Sequence, residues 1–370
     1  MRFTCEKALL QTAIMTTGRA VAVKTSIPAL EGILIEAVGY LRLTGYNLET
    51  GIQAIVPADI QEEGTLVLSA RLIGEIVRKL PDDIITFSSS GLTVEIDCGM
   101  SHYSLQAIDP EEFPELPEVK GENELMLCQS ALKSMISQTI FAVSTQDIRP
   151  IHTGSLFEVE NESLTMVSLD GFRLALRREK IVKKVGDDSF SFVVPSAALN
   201  EVEKICGETD EPVTVTQGPR HVLFTIGETI VVSRRLEGEF LNYKQSIPRE
   251  NKVHVVGDTR DLMTSIGRVS LILSEKLKNP LRCTFGENTL HMTTKSTIGE
   301  ASDICPIEGD GQGLVIGFDN RYLMDALRAA PSQKVRLELN TAVSPCVILP
   351  AEGDEAFLYL VLPVRLKAGE

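Results

Sequence analysis

The feature that most constrains this chain is an order of elements met three times at a period of about 125 residues. A loop proline, a strand pair, a short amphipathic helix and a final alternating hairpin recur. Pro28, Pro150 and Pro280 lie 122 and 130 positions apart, and Val67, Val193 and Val315, which open the later helical stretch, lie 126 and 122 apart. Such a period is too long for a solenoid or propeller unit. It is long enough for each copy to hold its own core, so it reads as a domain repeat.

The later helix carries the clearest copy. Ile73-Ile76-Val77, Leu199-Val202 and Leu323-Ala326-Leu327 fall on one face at helical spacing. On the opposite face the copies read Arg71, Glu75, Arg78, then Ala197, Glu201, Lys204, then Arg321, Asp325, Arg328. An acid flanked a turn away by bases is first of all a device of a solvated helix. Each copy also opens with a helix, at Ala8 to Thr17, at Leu132, Met135, Ile136 and Ile140, and at Leu262, Ile266, Val269 and Leu273.

Elsewhere the period switches to two. Ile85-Phe87 and Leu92-Val94-Ile96 flank a turn at Ser88 to Gly91, and Val213-Val215, Val222-Phe224-Ile226 and Ile230-Val232 repeat the hairpin. Val335-Leu337-Leu339 and Cys346-Ile348 repeat it again. The expected unit is α+β, antiparallel sheets covered on one face by two helices. Prolines and charges in Phe113 to Glu124 and in Ser246 to Lys252 break the pattern, predicting domains 1–119, 120–249 and 250–370.

Composition narrows the class. No apolar run approaches the roughly 18 residues of a membrane span, and Met1 to Lys7 lacks the apolar stretch of a signal peptide, so a cytoplasmic location without membrane contact is expected. Seven cysteines, never spaced as CxxC, read as reduced thiols rather than a disulfide framework or zinc site.

No catalytic motif stands out. A GxSxG elbow, a Walker A loop and HExxH are all missing, and the five histidines lack metal-ligand spacing, so no catalytic residue, metal or cofactor is expected. Gly309 to Gly313 precedes the strand Leu314-Val315-Ile316 and reads as a loop. Asp170-Gly171 between two apolar stretches reads as a hairpin turn.

A net charge of −15 speaks against nucleic acid at first sight. The six helical stretches nevertheless carry +3 together, leaving −18 for the rest. Helices gathered on one surface would tolerate DNA there while the remainder repels it.

Met1-Arg2-Phe3-Thr4, Ser26 to Leu34, Leu43-Thr44-Gly45-Tyr46-Asn47-Leu48-Glu49, Leu80-Pro81-Asp82 and Phe113-Pro114-Glu115-Leu116-Pro117 follow one another in a familiar order. With Arg149-Pro150, Asp170-Gly171-Phe172-Arg173-Leu174-Ala175 and Tyr359 to Leu366, the chain resembles the bacterial DNA polymerase III beta subunit family, the sliding clamps, over essentially its whole length. The resemblance implies three similar clamp domains per chain and two chains closing head to tail into a homodimeric ring lined by twelve helices. At about 9 Å spacing such helices make a circle roughly 34 Å across, and subtracting a helix width of about 10–12 Å leaves a hole of about 23 Å for a duplex of roughly 20 Å.

The resemblance further implies a non-catalytic processivity factor. Its partners would be double-stranded DNA without sequence preference, a clamp loader, and replicative and other polymerases bound through short apolar peptides. DNA-facing positions carried over are Lys24, Arg71, Arg78, Gln146, Arg149, Lys204, Arg268 and Lys276. Ala197 departs from the arginine of the other copies. The implied peptide pocket takes His152, Leu169, Gly171, Phe172, Arg173 and Leu174 from the second domain, with Leu241 and Ser246. Tyr322, Val343, Leu362, Pro363, Val364 and Arg365 complete it from the third. The family often has His where Phe172 stands and Pro where Leu241 stands. A second, lesser reading of Leu360 to Leu366 is a closing edge strand, which is compatible with a pocket role. Tyr103 and Leu105 of one chain would meet Ile272 and Leu273 of the other at the dimer interface. Two other classes share parts of this pattern. An adaptor with the same groove would not encircle DNA, and a hydrolase or lyase would show turnover dependent on Asp170 or Arg173.

Overall fold

The computed structural model describes residues 1–121, 123–146, 148–273, 279–353 and 356–366. Its first copy runs β1 (Arg2–Glu6), α1 (Lys7–Thr17), β2 (Gly32–Val38), β3 (Tyr40–Tyr46), β4 (Thr50–Val56), β5 (Asp59–Glu62), β6 (Gly64–Ser69), α2 (Ala70–Lys79), β7 (Ile84–Ser90), β8 (Thr93–Cys98) and β9 (Ser101–Gln106). The second runs β10 (Asn123–Cys128), α3 (Gln129–Thr139), β11 (Gly154–Glu160), β12 (Ser163–Leu169), β13 (Arg173–Lys180), β14 (Lys183–Val185), β15 (Ser189–Pro195), α4 (Ser196–Ile205), β16 (Pro212–Gln217), β17 (His221–Ile226) and β18 (Thr229–Arg234). The third runs β19 (Val253–Asp258), α5 (Thr259–Ser270), β20 (Leu281–Ser296), β21 (Gly299–Phe318), α6 (Asn320–Ala329), β22 (Lys334–Leu339), β23 (Cys346–Pro350) and β24 (Phe357–Val361). In that copy two long strands replace the five short ones that separate the helices of each of the others.

The chain folds as two compact units. The first holds residues 1–133, 181–187 and 197–235, and the second holds 134–180, 188–196 and the described part of 236–370. In the first unit a five-stranded sheet has the order β5-β1-β7-β8-β9, and a nine-stranded sheet has the order β14-β10-β16-β17-β18-β4-β3-β2-β6. The second unit holds a ten-stranded sheet of order β15-β11-β12-β13-β24-β23-β22-β19-β21-β20. Strands of successive copies are thus hydrogen-bonded neighbours, at β18–β4 and at β13–β24, and every named pairing is antiparallel.

The helical faces are those the spacing predicts. Ile73, Ile76 and Val77 are buried on α2, Ala198, Leu199 and Val202 on α4, and Leu323, Ala326 and Leu327 on α6. In the first unit α1 packs beside α2 and presses Leu10, Ala13 and Ile14 into a core with Ile33, Leu41, Leu43 and the stacked rings of Phe3 and Phe87. In the second, α5 packs beside α6 over Phe285, Phe318, Leu337 and Tyr359. Asp258 caps α5 by accepting from the N–H groups of Arg260 and Asp261, and Asp319 caps α6 by accepting from that of Arg321.

Several expectations need correction. Val67, Val193 and Val315 sit in β6, β15 and β21, the strands that lead into the later helices. The turn placed at Ser88 to Gly91 contracts to Gly91-Leu92, because Ser90 pairs with Thr93 and the serines continue the ladder. Helix α5 ends at Ser270, before Leu273. Residues 309–313 are not a loop. They belong to β21, where Glu287 faces Asp310 and Phe285 faces Leu314, so the intervening residues bulge. Positive φ at Gly309, Gln312 and Gly313 permits it. The stretch from Leu360 divides, since Leu360 and Val361 lie in β24 between β13 and β23, whereas Val364 beyond them makes a single antiparallel bridge to Gly317 of β21. All seven cysteines are free, six of them buried, and burial pushes the Cys5, Cys206 and Cys346 thiols up to about 12.

Candidate functional site

The most constructed polar site is the turn between β12 and β13. Leu169 pairs with Leu174, and Gly171 takes the left-handed backbone that the tight turn needs, with φ +91°. Asp170 Oδ1 accepts from the N–H groups of Phe172 at 2.8 Å and Arg173 at 3.0 Å, which is the Asx geometry that makes Asp a turn residue. Its other oxygen accepts from Arg173 Nε at 3.0 Å.

Arg173 then reaches outward from that anchor. Its Nη1 donates to Asp325 Oδ2 on α6 at 2.6 Å, and its guanidinium lies 4.6 Å from the Tyr322 ring centre and 5.5 Å from that of Phe141. Two carboxylates and two aromatic faces therefore hold a side chain that is only 12% exposed. The arrangement leaves no free base beside an activated nucleophile. Its consequence is a rigid post, on which Phe172 stands 59% exposed and stacks on Tyr322 at 6.2 Å.

Beside this post lies an apolar floor. Leu169, Leu174 and Leu360 are buried in one cluster with Ile151, Leu156, Leu176 and Tyr243, and Leu362, Phe240 and Ile247 pack against it. The Leu362 N–H donates to the Phe172 carbonyl at 2.9 Å, and the Val364 N–H donates to that of Gly317 at 2.8 Å, so the tail after β24 is fastened along the groove. His152 is buried edge-on against Phe240 at 5.4 Å. Burial, and then the Arg149 charge, hold its imidazole below the ordinary range. Leu241, Val343 and Val364 are exposed. Pro363 lies between Leu362 and Val364, while Ser246 and Arg365 lie outside the buried cluster.

Of the pocket residues carried over, the structure brings His152, Leu169, Gly171, Phe172, Arg173, Leu174, Tyr322 and Leu362 to one place. Sequence reasoning missed Phe141 and Asp325 as parts of this site. Phe141 lies in a single 3-10 turn after α3, and Asp325 is separated from Arg173 by 152 positions, so no local pattern marks either.

The basic positions are scattered over exposed surface. Arg71 is 82% exposed and 3.7 Å from Glu75, and Arg78 is exposed on the same face of α2. Lys204 pairs with Glu201 at 2.8 Å, and Glu201 also takes Arg19 at 3.4 Å. Arg268 is held by Asp303 at 2.5 Å, which offsets its charge. Lys24, Gln146 and Arg149 are exposed in loops, and Lys276 lies outside the described residues. The pattern on α6 differs from its spacing, since Arg321 turns back to Asp319 at 2.8 Å while Asp325 is taken by Arg173 and Arg328. Tyr103 and Leu105 lie on β9, an edge of the five-stranded sheet, partly buried against its core. Ile272 and Leu273 follow α5 half-buried, beside Leu271, which is 83% exposed.

Comparison with known proteins places these features in a family. Residues 1–117, 126–242 and 244–365 match the family models of the DNA polymerase III beta subunit N-terminal, central and C-terminal domains. A curated beta sliding clamp of Halalkalibacterium halodurans is 32% identical over 99% of this chain and 100% of its own length. The DNA polymerase sliding clamp of Bacillus subtilis superposes with a TM-score of 0.93 at 30% identity, over 99% of this chain and 100% of that one. The Pseudomonas aeruginosa sliding clamp bound to griselimycin superposes with a TM-score of 0.93 at 28% identity, over the same shares. Three domain matches in order and full-length relatives leave one conclusion: this chain belongs to the bacterial DNA polymerase III beta subunit family, the beta sliding clamps.

Proposed function

We infer that this chain is a DNA sliding clamp, a ring around duplex DNA that tethers the replicative polymerase and other replication and repair proteins and so confers processivity. The observation that carries the reading is the match of all three domain models in order along one chain. The family is a non-catalytic processivity factor, and the chain acts by topology instead of bond chemistry. Weak, salt-screened phosphate attraction suits that task, because tight or base-specific contacts would stop the sliding.

Closure of the ring by a second copy rests on symmetry. Three similar domains at 1–119, 120–249 and 250–370 need an identical head-to-tail partner to close a pseudo-sixfold circle. Support comes from the two sheet junctions inside the chain, which leave β9 and the first half of β21 as edges of the same kind. Basic residues on the helices, Arg71, Arg78 and Lys204 among them, face the DNA, with Lys24, Gln146, Arg149, Arg268 and Lys276. The groove around Leu174, Phe172 and Leu362 receives short apolar peptides of polymerases and of a clamp loader. The protein works in the cytoplasm, and no helix among its described residues is long and apolar enough to cross a membrane.

Retention on nicked circular DNA tests the reading. After loading, the protein should stay on the circle and leave when a restriction cut linearises it. Equal loss from circular and linear DNA would sink the assignment.

A further inference from the structure

The first unit contains a cavity of about 820 Å³ between the nine-stranded sheet and the chain segment 110–119. Its floor is the sheet face turned away from α1, with Leu34 and Glu36 on β2, Arg42 and Thr44 on β3, and Gln53 on β4. Ile230 and Val232 extend it on β18.

The second copy of the fold supplies an internal control. There the same positions are Leu156, Glu158, Thr165, Val167 and Leu176, extended by Leu358 and Leu360 on β24. The segment after β18 closes over that face, with Phe240 and Tyr243 packed on the leucines and the Tyr243 hydroxyl donating to Glu158 at 2.6 Å. In the first copy Thr44 and Gln53 replace Val167 and Leu176. They hydrogen-bond to each other at 3.0 Å, and Arg42 lies 3.8 Å from Glu36. The strap of the first copy packs Phe113 and Leu116 beside Leu34, Tyr46 and Val67, next to the Thr44–Gln53 pair, and Pro110, Pro114 and Pro117 stiffen it. Both straps thus pack an aromatic residue on the sheet, and in the first copy a space of a volume usual for ligand sites remains beside it.

We propose that this cavity docks an extended segment of a partner protein in which basic side chains stand beside a large apolar one. Charge complementarity selects the occupant. Of the lining carboxylates Glu36 pairs with Arg42 at 3.8 Å and Glu118 with Lys120 at 3.0 Å, while Glu111 and Glu115 stand exposed at the rim. Leu34, Leu116, Val119 and Ile230, all half-buried, supply the apolar contact, and the Gln53 side chain supplies a hydrogen-bonding group. A nucleic acid or acidic peptide is disfavoured by the same charges. The site is separate from the groove around Leu174, which is apolar and lies in the other unit.

The test uses the full chain with methyl-labelled Leu, Ile and Val, and as probe a capped Lys-Leu-Lys-Phe-Lys peptide. Millimolar or tighter binding should shift the methyl signals of Leu34, Leu116, Ile230 and Val232. The double variant Glu111→Lys, Glu115→Lys should weaken it about tenfold. A second variant, Thr44→Val with Gln53→Leu, installs the second copy's floor and should abolish those shifts while retention on circular DNA is unchanged. The proposal is overturned if these methyls do not move at millimolar peptide, or if the charge-reversed variant or a Glu-Leu-Glu-Phe-Glu peptide binds equally well. Displacement of the probe by a peptide carrying Gln, Leu and Phe would place it in the other groove and overturn the proposal too, leaving the clamp reading intact.

Discussion

Arg173 of the β12–β13 turn donates to Asp325 of α6 at 2.6 Å, joining the hairpin that carries Phe172 to the helix that carries Tyr322. The guanidinium is 12% exposed and the carboxylate 33%. A charge-assisted bond this sheltered is worth about 1.5–3 kcal/mol. A double-mutant cycle of Arg173→Ala and Asp325→Ala, followed by urea unfolding, should return a coupling energy of that order. Additive losses would mean that the pair contributes nothing beyond its separate contacts.

Groove function separates from groove stability at two neighbouring positions. Leu174 is 3% exposed, so Leu174→Asp damages the core by at least about 2–5 kcal/mol and confounds a binding test. Phe172 is 59% exposed, so Phe172→Ala should change stability by less than about 0.5 kcal/mol. Loss of its aromatic face should weaken a Leu- and Phe-bearing peptide about tenfold by calorimetry. Unchanged affinity would remove Phe172 from the recognition surface.

The two sheet junctions inside the chain predict the register of a third, between copies. Val232 faces Gly51 across β18–β4, and Leu360 faces Leu174 across β24–β13. Ser104 occupies on β9 the place of Val232 on β18, three residues after the strand start. Burial of Leu290, Met292 and Thr294 matches Leu41, Leu43 and Gly45, which makes Glu300 on β21 the counterpart of Gly51. Cysteines at Ser104 and Glu300 should therefore cross-link a homodimer on a non-reducing gel, whereas Ser104→Cys with Ile304→Cys should not. The reverse pattern would refute this register.

Charge reversal addresses the DNA surface. Arg71→Glu, Arg78→Glu and Lys204→Glu together should shorten retention on nicked circles, most clearly at low salt, with light scattering still showing a dimer. Retention identical to the parent at every salt concentration would exclude these three from the DNA-facing set.

His152 predicts an acid-side loss of stability. Burial, reinforced by Arg149, holds its imidazole below the ordinary 6.5. The unfolded chain takes up a proton where the folded one does not, so this contribution to stability is intact above about 6.5 and declines as the pH falls through the window beneath it. Comparing urea midpoints above and below that value, His152→Gln should flatten the slope. A slope as steep as the parent's would assign the acid sensitivity to other groups.

The sequence by itself determined the period, the buried faces of the helices and most of the hairpins, because apolar spacing and turn residues act within a few positions of one another. It also determined the family, since Met1-Arg2-Phe3-Thr4, Asp170-Gly171-Phe172-Arg173 and the stretch from Tyr359 keep their order along the whole chain. Only the tertiary structure decided that the copies share sheets through β18–β4 and β13–β24, because an edge strand's partner depends on which edge meets it in space. It alone decided which base each helix acid takes. Glu201 binds Arg19 as well as Lys204, and Asp325 binds Arg173 from 152 positions away while Arg321 is drawn to Asp319. Helical spacing says which charges are within reach, but burial and competing carboxylates choose among them, and both are set by the packing of residues far apart in the chain.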